Sequence, residues 1–230
     1  MSSSTVVGEE VRGRRRSKRA DSGSVRLSER DGRMLRLIAE QYAVSVDQLA
    51  RLIGRSHRTG RWLRDRWRQA GWVESRQLTA DGPSFVWLTG AGARIAGSPY
   101  RTWRPNAALA AHVEAVTEVR LLVEQQLRLG AWVCERALAR SMLSGPQHRA
   151  HLPDGLLDTG RERIAIEVEL SLKSRARLEA LLEELGESYD RVWYFANPSL
   201  LSTLRELAGE APWQNITVHP YPPHAAALLA

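Results

Sequence analysis

Arg163-Ile164-Ala165-Ile166-Glu167-Val168-Glu169-Leu170-Ser171-Leu172-Lys173 alternates without a break. As a strand it turns Ile164, Ile166, Val168, Leu170 and Leu172 one way and Ala165, Glu167, Glu169, Ser171 and Lys173 the other. An apolar face is ordinary. Two carboxylates beside each other on the second face are not, because at roughly 7 Å like charges repel. What surrounds this strand decides the fold.

Upstream, Asn106 caps a long helix carrying Leu109, Val113, Val116, Val119, Val123 and Leu127, which Gly130 closes. It is more apolar than a spacer needs, so it packs on the domain behind it or on a second copy of itself. Trp132 to Leu138 reads as a strand and residues 141–152 as loop. Pro153-Asp154-Gly155-Leu156-Leu157 begins another short strand. Downstream, Leu178 to Leu185 is helical and Arg191 to Ala196 is a buried strand. Pro198 to Leu207 is a helix and Ile216-Thr217-Val218 a last strand. The order is helix, three strands, helix, strand, helix, strand.

The front of the chain follows a different rhythm. Ser28 caps a helix with Asp31 in its first turn and Met34, Leu35, Ile38 and Tyr42 on one face. Ser45 and Gln48 fit a capping box ahead of Val46, Leu49 and Ile53, and Gly54 ends that helix. A third helix starts near Ser56, with Leu63, Trp67 and Ala70 inward, and stops at Gly71. Trp72 to Gln77, a turn at residues 79–83, and Phe85-Val86-Trp87-Leu88 make a hairpin. Three short helices and a hairpin predict a winged helix-turn-helix. On its third helix His57, Arg58, Arg61, Arg64 and Arg68 lie off the apolar stripe, a spacing suited to guanine edges in a major groove. Arg66, and Arg76 on the wing, suit phosphates. Trp62 stands beside these arginines. The alternative is a solvated basic helix on a protein-interaction module.

The chain has 230 residues, enough for one or two domains, with 43% hydrophobic and 26% charged residues as in a globular protein. No window approaches 18 consecutive apolar residues, and the N-terminus is polar and basic, so the expectation is a cytoplasmic protein without a membrane span or secretory signal. One cysteine, Cys134, excludes a disulfide framework and a thiolate zinc cluster; it reads as a small core residue. Net charge is +7, and 31 of the 33 basic residues are arginine, lysine occurring only at Lys18 and Lys173. By segment, residues 1–27 carry +4, 28–98 carry +5, 99–141 carry +2 and 142–230 carry −4. The basic front points to a polyanion, most often nucleic acid, and residues 1–27 read as a disordered basic arm or a solvated tail.

Carboxylates in the rear half invite chemistry. A Mg²⁺ or Mn²⁺ ion between Asp154, Glu167 and Glu169 would remove their repulsion and position a water against a phosphodiester. Lys173 continues the same face as a compact ammonium. The alternative is structural: Asp154 is a turn residue, and Glu169 pairs with Lys173 or an arginine on an exposed sheet face. His148-x-x-His151 lacks a third zinc ligand, and His112 reads as a buried, hydrogen-bonded helix residue rather than a base.

Pro153-Asp154 followed by Glu167-x-Glu169 in an apolar strand, in this element order, resembles the PD-(D/E)xK nuclease superfamily. Joined to a winged helix, with Ala111-His112 on the long helix and Trp132-Val133-Cys134-Glu135-Arg136 before the core, the chain resembles the replication-relaxation proteins of bacterial plasmids and phages. That likeness spans roughly residues 28–220. It implies an α+β winged helix at 28–98, a linker at 99–105, a restriction-endonuclease-like mixed sheet at 106–222 and a tail at 223–230. It further implies Asp154 and Glu167 as metal ligands, Glu135 as an accessory carboxylate, and double-stranded DNA as partner. A dimer through the Asn106 helix would read a palindromic site. The implied activities are DNA binding for a mobile element with metal-dependent nicking, or non-catalytic DNA binding on an inactive nuclease fold. One departure is plain: the motif's lysine position holds Glu169, so Lys173 is a displaced substitute or the site does not cut.

Overall fold

Ser28 takes the first helix of the structure, a computed structural model that describes residues 26–142, 151–171, 173–210, 212 and 214–229. Most of the expected basic arm, His148 and Leu172 therefore lie outside the described residues. In α1 (Glu29–Glu40) Ser28 and Asp31 form a reciprocal capping box, and Ser45 and Gln48 do the same for α2 (Val46–Leu52). Ser56 caps α3 (His57–Gln69). A two-residue strand β1 (Val44–Ser45), too short to leave a sequence pattern, joins β2 (Val73–Gln77) and β3 (Ser84–Leu88) in an antiparallel sheet of order β1-β3-β2. Leu35, Ile38, Leu49, Leu63, Trp67 and Val86 fill the space between helices and sheet. Thr89 then caps a short α4 (Gly90–Ile95).

Asp31 ties this unit together. Its buried carboxylate accepts the Ser28 backbone N–H at 2.9 Å, the Ser28 hydroxyl at 2.7 Å, the Trp67 indole N–H at 3.1 Å and the Arg66 guanidinium at 2.8 Å. Arg66, expected to face phosphates, is instead spent on Asp31 and on the Arg26 carbonyl. A carboxylate buried at 0% exposure beside a tryptophan needs that cation.

Residues 99–105 carry no regular structure, but they are not a free linker. Tyr100 packs against the cores on both sides of it, and Trp103 meets Trp87 edge to face at 6.1 Å. Helix α5 (Ala107–Arg120) follows and continues as a π-helical turn over Leu121–Gln126. Ala110 and Val113 pack on Phe85 and Trp87, while Ala115, Val116, Val119 and Val123 pack on the second sheet. This helix joins the two units within one chain, while Leu109 in its first turn is left 49% exposed.

The second sheet runs β4-β5-β6-β7-β8, built from β4 (Ala131–Cys134), β5 (Gly155–Asp158), β6 (Arg163–Glu169), β7 (Arg191–Ala196) and β8 (Ile216–Pro220). The first two pairings are antiparallel and the last two parallel. Helices α6 (Glu135–Met142), α7 (Arg175–Ser188), α8 (Leu201–Glu210) and α9 (Ala225–Leu229) complete it. The chain is thus mixed α/β, and among the described residues no helix is long and apolar enough to cross a membrane.

Three expectations need correction. Residues 132–138 are not one strand: pairing stops at Cys134, and Glu135 starts α6 with Leu138 as its buried residue. The tail at 223–230 includes the short helix α9, with Leu228 against the α5 side of the sheet. Most important, β6 is buried on both faces. Ile164, Ile166 and Val168 meet α5, while Ala165 lies among Leu178, Leu182 and Leu204 of α7 and α8. Glu167 and Glu169 share the phase of Ala165 and are 3% and 4% exposed, so the carboxylates face a helix layer rather than solvent. At β5, a Cβ on Gly155 would stand 2.0 Å from the Trp132 ring, so only glycine lets that ring lie across the strand.

Burial pushes the Asp31 carboxyl up, but its donors Ser28, Arg66 and Trp67 hold it below the ordinary carboxylate value. With the folded value below the unfolded one of about 3.9, its stabilisation is present above that pH and is lost as pH falls through the folded value. Asp31→Asn is therefore predicted to cost about 3 kcal/mol near pH 7 in urea unfolding. Its deficit relative to wild type should shrink as the pH drops below about 3.9.

Candidate functional site

Two groups of residues carry functional chemistry. The first lies on α3. Gly60, Leu63 and Trp67 face the core, which turns Arg58, Arg61, Asp65 and Arg68 outward along one line, all exposed. Trp62, 57% exposed, stands next to that line with the Arg66 guanidinium 5.7 Å from its ring centre. Arg76 is exposed on β2. Arg68 and Arg76 line one open groove of about 830 Å³ between α3 and the hairpin. Two expected members are otherwise engaged. His57 contacts Asp47 of α2 at 3.3 Å. Arg64 pairs with Asp65 at 2.8 Å, its side chain only 16% exposed, so it does not point outward as its spacing suggested.

The second group gathers at the ends of β5 and β6. β5 stops pairing at Gly155, opposite Ile166. One residue earlier, the Asp154 carboxylate takes over the ladder and accepts the Val168 N–H at 2.8 Å through Oδ2. Its Oδ1 lies 2.8 Å from His112 Nε2 on α5. Glu167 Oε1 meets His151 Nε2 at 3.2 Å, and the His151 backbone N–H donates to Glu184 of α7. Glu167 Oε2 is buried without a hydrogen-bond partner. Glu169 accepts the Ser171 N–H at 3.3 Å and forms an ion pair with Lys173. Tyr194 of β7 stands opposite Glu167 in the parallel register, its hydroxyl buried and unpartnered.

The electrostatics follow from this packing. Burial pushes the Glu167 carboxyl up to about 7, and the charge of Asp154 pushes the same way, against the pull of His151 and Lys173. His112 is held above the usual histidine value chiefly by its hydrogen bond to Asp154, and His151 by its bond to Glu167, with burial opposing both. The Tyr194 phenol is raised by burial and then by Glu167 and Glu169.

Of the expected site residues, the fold brings Asp154 and Glu167 into one electrostatic cluster. It commits Glu169 to Lys173, and it turns Glu135 toward the Tyr42 hydroxyl at 3.0 Å. His112 and His151 are the members that spacing did not assign to this site; the one local signal was His151 three positions before Asp154. Among the described residues no three His, Cys, Asp or Glu side chains stand where one metal ion would take them. The donors explain why. Asp154 has both oxygens engaged, Glu135 accepts from Tyr42 through Oε2, Glu169 is ion-paired with Lys173, and Glu167 Oε2 is buried without a hydrogen-bond partner. Carboxylates committed in this way, with two imidazoles aimed at Asp154 and Glu167, do not fit the oxygen set that Mg²⁺ or Mn²⁺ requires.

A cleft of about 20 Å³ between Glu40, Tyr42, His112, Glu135 and Asp154 separates the cluster from the first unit. It has room for a single water. One wall is built by Tyr42, at a left-handed φ of 68°, and Arg136 holds the Tyr42 ring in place. The Arg136 guanidinium lies 4.5 Å from the Tyr42 ring centre and 4.8 Å from that of Tyr100, and donates to the Ala39 and Arg101 carbonyls.

No protein-family model matches the chain, and no curated protein does. A solved structure described as "PigF with SAH" is similar at 13% identity over 84% of this chain and 66% of that one, with a TM-score of 0.20. At that score the likeness carries no argument about fold or function.

Arg136→Lys is expected to cost about 2 kcal/mol in urea unfolding, because an ammonium cannot stack between two rings while donating to two carbonyls. Tyr42→Phe, which leaves the stack and removes only the bond to Glu135, should cost about 1 kcal/mol.

Proposed function

We propose that this protein binds double-stranded DNA through α3 and the β2–β3 hairpin, as a winged helix-turn-helix joined to a PD-(D/E)xK nuclease-like unit. The observation that carries the reading is the outer line of α3. The ion pairs of that helix are His57–Asp47, Arg64–Asp65, Arg66–Asp31 and a 4.0 Å approach of Arg68 to Asp65. Arg58 and Arg61 are left exposed without an acidic partner among the described residues. Unneutralised guanidinium groups on one helix face repel each other, and phosphates or guanine edges remove that repulsion.

Supporting the winged-helix reading are the element order α1-β1-α2-α3-β2-β3 and the sheet order β1-β3-β2. Supporting the nuclease-like reading of the second unit is its sheet β4-β5-β6-β7-β8, with an antiparallel front and a parallel rear and with α7 crossing between the parallel strands β6 and β7; α6 interrupts the expected run of three strands between β4 and β5. The role in replication, relaxation or transfer of a mobile element comes from the sequence resemblance to replication-relaxation proteins and not from geometry.

Gel shifts with a duplex library, read across a salt series, test the reading. Arg58→Ala and Arg61→Ala should each weaken binding about tenfold and lower the salt slope by about 1 for each phosphate that is no longer neutralised. Arg205→Ala, on the exposed side of α8, should leave both unchanged. Trp62 emission should shift on binding. A wild-type protein with no salt-dependent DNA affinity would sink the proposal.

A further inference from the structure

A nuclease-like sheet is expected to bring its carboxylates together around a divalent ion, and the donors in this chain are arranged differently. Asp154 is held from two sides, by His112 on α5 at 2.8 Å and by the Val168 N–H of β6 at 2.8 Å. Glu167 is 3% exposed and is met by His151 at 3.2 Å. His151 is itself fixed, its backbone N–H bound to Glu184 of α7. Lys173, the residue nearest to a motif lysine, is ion-paired with Glu169. Two carboxylates that would repel across a low-dielectric gap are each given an imidazole donor instead.

We propose that the carboxylate cluster is a clamp in which His112 and His151 occupy the role of a divalent cation, holding α5 and the 151–154 segment on the end of β6. This rests on the nuclease-like reading of the second unit and is independent of the DNA-contact face. The clamp has a mechanical position. His112 lies on the one helix that both sheets bury, and Asp154 bridges that helix to β6. The pairing therefore fixes α5, on which Phe85 and Trp87 of the first unit pack, to β6 of the second sheet. The donor that a motif lysine would supply to an attacking water is bound to Glu169 and does not take part.

Calorimetric titration of MnCl₂ into the full-length wild-type protein, with the free Mn²⁺ spin signal as a second readout, decides the matter. No saturable binding is expected, and the melting temperature should be the same in millimolar MgCl₂, in MnCl₂ and in EDTA. His112→Ala should lower it by about 5 °C without added metal. In a cycle with Asp154→Asn, the double variant should lose less than the sum of the singles. If His112→Ala does not fold, His151→Ala and the wild-type titration still give the answer. Saturable Mn²⁺ binding that Glu167→Gln abolishes, or a melting temperature rising several degrees with Mn²⁺, would overturn the clamp. So would additive losses in the cycle. Gel shifts run in EDTA judge the DNA reading separately: they can fail while the titration stays flat, and hold while it shows binding.

Discussion

Burial of α5 by two sheets at once is the constraint from which the rest of the molecule follows. Its first half lies against Phe85 and Trp87, and its second half against the α5-facing side of β6. A helix covered from two directions cannot keep a wide polar face. That is why this segment carries alanine and valine nearly all round, and why its few polar residues have dedicated partners. Thr117 donates to the Val113 carbonyl, and Arg120, 8% exposed at its side chain, pairs with Glu40 and Glu124.

Those partners decide how the two units meet. Glu40 closes α1, so Arg120 connects the first unit to the helix it packs on. Gln48, a member of the α2 capping box, donates to the Glu114 carbonyl, and Arg51 reaches Glu118. Arg136 returns the connection from the far side, through the Ala39 carbonyl and the Tyr42 ring. Such groups gain little as surface ion pairs but are costly to strand once buried. Their combined effect is geometric: they tie α1, α2 and the 39–42 segment to α5 and α6, so that the first unit is held to the second by several separate contacts.

Local features were readable in the sequence because their physics is local. Capping residues three positions apart mark the starts of α1 and α2, and the alternation of residues 163–173 marks β6, although the strand itself ends at Glu169. The reading failed where partners are distant or signals overlap. Trp132-Val133-Cys134-Glu135-Arg136-Ala137-Leu138 satisfies a strand and a one-sided helix equally, and the switch at Glu135 depends on where β5 stops pairing. Alternation in β6 identified two faces but not what covers them, since a second helix layer leaves the pattern of its own strand unchanged. His112 and Asp154 are 42 positions apart, and His151 and Glu167 are 16 apart. Nothing in either neighbourhood announces the pairing.

Glu169 shows how one buried carboxylate spreads its demands. A carboxylate at 4% exposure on an inner strand is tolerable only with a cation or strong donors at hand. Lysine at this position would have supplied a positive charge to Glu167 two residues away; glutamate adds a negative one and creates a second need. Lys173 meets that need from four residues on. Lys173 acts on Glu167 only through its charge, and the hydrogen bond to Glu167 comes from His151, whose backbone α7 holds in reach. The histidine pairs and the Glu169–Lys173 ion pair thus answer a single problem, that of balancing charge beneath a helix layer.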